Sequence, residues 1–181
     1  MSSQGQIVAD PAPGIEAEHH QVAALCWRLH GRHAEVLLIT SRDTGRWIVP
    51  KGWPMEGKTA AATAAQEAWE EAGVKGAVAE QSLGSFVYPK TYRDADPRIC
   101  MVEVFPLRVE ELAHRYPERR QRRRKWFAAA KAARKVAEPE LRALILSLAE
   151  TPPGPPQAPA PAEALPDPAL DLAPLPSDQT A

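Results

Sequence analysis

Three observations predict a single α/β domain. Apolar runs of strand length recur between Val22 and Phe127, an alanine-rich helix stands between Thr59 and Gly73, and a helical stripe follows at Leu141, Leu144, Ile145 and Leu148. At 181 residues the chain can bury one full core and is too short for two ordinary domains.

Residues 1–18 are rich in Ser, Gln, Pro and Ala without periodicity, which predicts a flexible N-terminal arm before a domain spanning residues 19–150. Val22–Leu29 reads as a strand, His30–His33 as a turn and Glu35–Thr40 as a second strand. Ser41–Arg46 is a polar connection, and the short strand Trp47–Val49 is closed by Pro50. The helix starts near Thr59, whose hydroxyl can cap free N–H groups, and ends at Gly73, which tolerates a left-handed cap. Alanines, the strongest helix formers, fill it. Val74–Val78, Ser82–Tyr88 and Ile99–Leu107 are three further strands, with a polar loop at Lys90–Arg98. Lys125–Phe127 is a short strand, followed by a helix from about Ala128 to Glu150 that breaks at Glu138-Pro139. Residues 151–181 hold ten prolines and predict a disordered, Pro/Ala-rich acidic tail.

The net charge of −1 is unevenly spread. The last 31 residues carry four acids and no base, leaving about +3 on residues 1–150, from 22 basic and 19 acidic side chains. That balance suits an anionic partner. Cys26 and Cys100 lie in separate apolar runs and read as buried free thiols of a reducing cytosol. The N-terminal stretch has no basic-then-apolar signal pattern and no apolar run reaches membrane-spanning length, so a soluble cytoplasmic protein without a membrane partner is expected.

Glu67, Glu70 and Glu71 crowd one face of the central helix, because positions three and four apart are neighbours there. Like charges at that spacing repel unless a cation stands between them. Mg²⁺ fits, being a hard cation that bridges protein carboxylates to substrate phosphates, and Mn²⁺ can substitute.

From Gly52 to Val74 the chain resembles the Nudix box, G-x5-E-x7-R-E-U-x-E-E-x-G-U with U apolar. Gly52, Glu67, Glu70, Glu71, Gly73 and Val74 fall on the pattern, with Ala68 at its first apolar position. The lead-in Arg46-Trp47-Ile48-Val49-Pro50-Lys51 and the later Lys125-Trp126-Phe127 are similar to the diphosphoinositol polyphosphate phosphohydrolase branch. The resemblance covers about Gln21 to Glu150. It implies an α/β/α sandwich with a mixed β-sheet between helices, and metal-dependent hydrolysis of a phosphoanhydride. Diphosphoinositol polyphosphates and dinucleoside polyphosphates are the substrate classes it implies. Glu67, Glu70 and Glu71 become the metal-binding, catalytic carboxylates, and Gly52 lets the loop turn tightly against the helix. Two positions depart from the pattern. Lys58 replaces its first glutamate and Gln66 its arginine, a pair that in the family braces loop against helix. Gln66 avoids setting a second cation opposite Lys58.

A small polyphosphate substrate needs counter-charges. Arg42, Arg46, Lys51, Lys90, Arg93 and Arg98 form the expected set, with Arg46 and Lys51 leading. Glu103 is an outside candidate for general base, set against its reading as a solvent-facing strand residue. Trp47, Trp126 and Phe127 read as core. His19 and His20 show no metal-ligand spacing. The run Arg119–Lys125 reads by default as a solvated connection, and in its functional reading as a wall that attracts a densely phosphorylated substrate, or RNA; without interleaved aromatics the RNA reading is weak. No protein partner is inferable. The competing readings are a nucleotide-sugar or nucleotide pyrophosphatase, and a catalytically weak nucleotide- or RNA-binding module.

Overall fold

The computed structural model describes residues 19–92 and 95–152. The expectations for residues 1–18, for Arg93 and for the tail from residue 153 lie outside the described residues.

β1 (His19–His30) runs through the middle of a mixed sheet that has eight strands among the described residues. Gln21 to Trp27 are buried without interruption, as expected of a strand covered on both faces. β7 (Ala95–Leu112) pairs with it in parallel, Val22 opposite Glu103. β2 (His33–Thr40) pairs antiparallel through the turn at Gly31, and β4 (Lys51–Gly52) pairs antiparallel at Val22 and Ala23. β3 (Trp47–Ile48) and β8 (Arg124–Ala128) both join β2, whereas β5 (Val74–Val78) and β6 (Gly84–Tyr92) both join β7. α1 (Ala60–Ala72) packs on β1, β5 and β4. α2 (Ala129–Lys135) and α3 (Pro139–Glu150) pack on β2 and β6. The result is the expected sandwich of helices around a mixed sheet.

The helix signals hold in detail. Thr59 Oγ1 accepts from the Ala62 N–H at 3.1 Å, and Gly73 takes φ 64° as its N–H bonds back into the last turn. Thr59→Ala is expected to cost about 1 kcal/mol in denaturant unfolding, the usual worth of such a cap. The break at Glu138-Pro139 separates α2 from α3, and Leu141, Ile145 and Leu148 are buried. Trp47 meets Phe127 edge-on at 5.1 Å. Cys26 and Cys100 are free and buried.

One expectation is corrected. Within the expected loop Lys90–Arg98, the described residues 90–92 and 95–98 are strand, because β6 and β7 continue as a ladder, with Lys90 opposite Arg98 and Tyr92 opposite Ala95. The backbone hydrogen bonds of a hairpin need no apolar side chains, so the strands outrun the hydrophobic pattern once they leave the core.

Candidate active site

The C-terminal half of α1, the loop after β4 and the connection from β7 to β8 enclose a cavity of about 950 Å³. Each of the three glutamates is held differently. Glu71 is 7% exposed, accepting from the Lys51 N–H at 3.0 Å through one oxygen and from the Arg122 guanidinium through the other. Glu70 accepts from the Gln66 amide at 2.7 Å. Glu67 packs its carboxylate on Gly52, where a Cβ would stand 2.0 Å from Oε1, so the glycine makes room for the carboxylate itself.

The loop is tied to the helix without Lys58. Lys58 is exposed, while the Lys51 N–H on Glu71 and the Met55 N–H on Thr63 Oγ1 at 3.4 Å make the joins. Gln66 turns along the helix toward Glu70 and leaves Lys58 to solvent.

Arg122 relieves the crowded carboxylates only in part. Burial, then Glu71, Glu70 and Glu118 in that order, push the Glu67 carboxyl up to about 7. Burial also raises Glu71, against the pull of Arg122 and the Lys51 N–H. Lys51 is lowered, chiefly by burial; its ammonium lies 3.0 Å from the Tyr88 hydroxyl and 3.4 Å from Gln21 Oε1. Among the described residues no three acidic, histidine or cysteine side chains are preset around one cation position. The donor set still fits a hard divalent cation. It offers carboxylate oxygens alone, and no hydrogen bond holds the Glu67 carboxylate among the described residues.

Arg42, Arg46, Lys51, Gly52 and Lys90 line this cavity together with the three glutamates. Arg98 does not; its guanidinium lies 3.3 Å from His19 Nε2 on the β6–β7 hairpin side. Glu103 is also outside the lining, half-exposed 3.9 Å from His20 Nε2, as a solvent-facing strand residue would be. Arg46 is already paired with Glu138, a buried carboxylate at the start of α3.

The arginine run needs a second correction, because it is not simply solvated. Arg122 turns inward to Glu71, Glu118 and the Thr40 carbonyl at 3.2 Å. Arg124 donates to the carbonyls of Ala72 and Ala113, where the negative end of the α1 dipole favours a cation. Glu118, whose N–H donates to the Glu70 carbonyl at 2.9 Å, adds a fourth glutamate to the lining. Sequence reasoning missed Glu118, Arg122 and Glu138, since nothing local distinguishes them from their charged neighbours.

A family model of the NUDIX domain matches residues 19–148. The chain belongs to the Nudix family. Among its relatives, Nudix hydrolase 12, mitochondrial, of Arabidopsis thaliana is 35% identical over 101 residues, covering 54% of this chain and 50% of that protein. Diphosphoinositol polyphosphate phosphohydrolase 3-alpha of Homo sapiens is 36% identical over 110 residues, covering 59% and 62%. The chain thus spans about half to three-fifths of the length of these curated relatives. A solved C. elegans Ap4A hydrolase superposes with TM-score 0.54 at 18% identity, over 73% of this chain and 96% of that one. The NUDIX domain of Shewanella oneidensis NrtR, complexed with ADP ribose, gives 0.55 at 16%, over 76% and 92%. At such identities these structures establish a shared Nudix fold.

Proposed function

We propose that this Nudix protein hydrolyses phosphoanhydride bonds in a highly anionic substrate, with Mg²⁺ or Mn²⁺ held by Glu67, Glu70 and Glu71. The observation that carries this is the Glu67 carboxylate. It is packed on Gly52 inside a cavity and driven up to about 7 by burial and by three neighbouring glutamates, which Arg122 only partly offsets. A divalent cation bound there supplies charge neutralisation on phosphoryl oxygens and a water acidified enough to attack at neutral pH.

The protein's own residues then bind and orient. Lys51 presents its ammonium beside Tyr88, Arg46 is steadied by Glu138, and Arg42 and Lys90 reach the lining from the loop after β2 and from β6. The lining carries five cationic and five acidic side chains, so before cation binding it offers a polyphosphate no net attraction. Substrate binding is therefore expected to weaken sharply in EDTA. The relatives named for diphosphoinositol polyphosphate and Ap4A make those two substrate types the first to test. We place the protein in the cytoplasm, on two cysteines that are free and buried.

The test is a panel of diphosphoinositol polyphosphates, dinucleoside polyphosphates and nucleotide sugars with Mg²⁺, comparing wild type with Glu70→Gln. Turnover abolished by the variant supports the reading. No turnover on any member, with nucleotide or RNA binding unaffected by the variant, replaces it with a binding module. Gly52→Ala separates fold from chemistry, because its Cβ displaces only the mobile end of Glu67. Turnover is expected to fall at least about tenfold while the melting temperature moves by only a few degrees. Wild-type turnover in that variant would show that the contact is idle.

A further inference from the structure

We propose that Gln66 is a positioning residue that sets how Glu70 faces a bound divalent cation. The inference rests on the metal-dependent reading above and concerns a residue at which the chain departs from the family pattern.

Gln66 and Glu70 are four apart on α1 and share a face, and the amide nitrogen lies 2.7 Å from Glu70 Oε1. A carboxylate can only accept, so the amide must turn its NH₂ rather than its carbonyl toward Glu70. Glu70 lines the cavity. Gln66 does not; it stands behind Glu70 in a shallow groove between α1 and β5. One Glu70 oxygen is thus tethered from outside the cavity, and the carboxylate is restrained in rotation with its other oxygen left for a ligand.

The neutrality of the tether matters. Glu71 is already shared with the Arg122 guanidinium, which offsets part of its charge. Glu67 has packing against Gly52 but no hydrogen bond among the described residues. Only Glu70 is restrained by an uncharged side chain, so it loses rotational freedom without being paired to a cation. An arginine reaching Glu70 would pair with it and compete with a metal ion; an amide orients without competing. Partners behind a metal ligand commonly set metal affinity in this way. The exposure of Lys58 removes the other role open to Gln66, that of bracing the loop.

The experiment measures Mn²⁺ binding by electron paramagnetic resonance, with Mn²⁺ alone as the probe, on four full-length proteins. These are wild type, Gln66→Met, Glu70→Gln and the double variant. Methionine matches the length of glutamine and donates nothing, and it is a good helix former. Gln66→Met is expected to weaken Mn²⁺ binding by about 10-fold or more. Its melting temperature in EDTA should stay within a few degrees of wild type. In the Glu70→Gln background the same change should have little further effect, since the residue it acts through is already altered. The Mg²⁺ concentration for half-maximal turnover should shift by a similar factor, with kcat at saturating Mg²⁺ held within about threefold.

Unchanged Mn²⁺ affinity in Gln66→Met overturns the inference and leaves the hydrolase reading standing. So does a loss that is equally large in the Glu70→Gln background. Absence of Mn²⁺ binding to the wild type overturns the metal-dependent reading, and this inference with it.

Discussion

Arg122→Ala is expected to lower the unfolding free energy by about 3–5 kcal/mol, the cost of leaving a buried carboxylate without its partner. The side chains of Arg122 and Glu71 are 8% and 9% exposed, so water cannot stand in for the guanidinium. The same arginine also satisfies Glu118 and the Thr40 carbonyl, and thereby fastens the β7–β8 connection over α1. Denaturant unfolding checks the magnitude. Glu71→Gln added to Arg122→Ala should recover part of the loss, because the stranded charge is then gone. The deficit should also shrink at acid pH. Burial already raises the Glu71 carboxyl, and without Arg122 it rises further, so protonation removes the penalty. A loss below about 1 kcal/mol would mean that the pair is solvated and carries little.

Glu67→Gln is expected to reduce turnover by roughly 100- to 1,000-fold, the worth of several kcal/mol of transition-state charge stabilisation. It should at the same time stabilise the metal-free protein at neutral pH. The folded-state carboxyl lies near 7, above its ordinary value of 4.5, chiefly through burial and then through Glu71, Glu70 and Glu118. Between those two values the folded chain binds more protons than the unfolded one. Stability in EDTA must then fall as pH rises from about 4.5 through 7. Partial solvent exposure of Glu67 screens the effect, so the checkable quantity is its direction. In EDTA the wild type should melt lower at pH 8 than at pH 5, and Glu67→Gln should show a flatter dependence. Mg²⁺ should restore wild-type stability at pH 8 by binding the folded state alone. A pH profile identical in both proteins would remove Glu67 as the seat of the strain. On the proposed function, the carboxylate crowding that costs stability is also what would bind the cation, a common exchange at functional sites.

The two effects differ in how far a sequence can foresee them. Glu67, Glu70 and Glu71 lie within five residues of one helix, and their shared face follows from helical spacing alone. Thr59 and Gly73 were legible for the same reason, since caps act on the turn beside them. Gly52 was expected to serve a tight turn; instead it lies in β4 without a positive φ, and its missing side chain makes room for a carboxylate from fifteen residues away. Arg122 was not legible. It sits in a run of basic residues, and inward and outward arginines look alike until β8 pairs with β2 and brings the run against α1. Arg46 was legible as a cation near the site, yet its buried partner Glu138 is 92 residues on. The extent of the β6–β7 hairpin escaped because backbone hydrogen bonding, rather than side-chain pattern, sustains it.

The sequence by itself determined the Nudix helix, its caps, its three carboxylates and the sheet strands whose apolar pattern faces the core. These are local properties, written in spacing and propensity. Tertiary structure alone decided which charges reach those carboxylates. Arg122 and Glu118 arrive from the β7–β8 connection, and Gln66 turns to Glu70 rather than to Lys58. A charged side chain's partner is set by where the chain returns in space, and a linear sequence does not carry that distance.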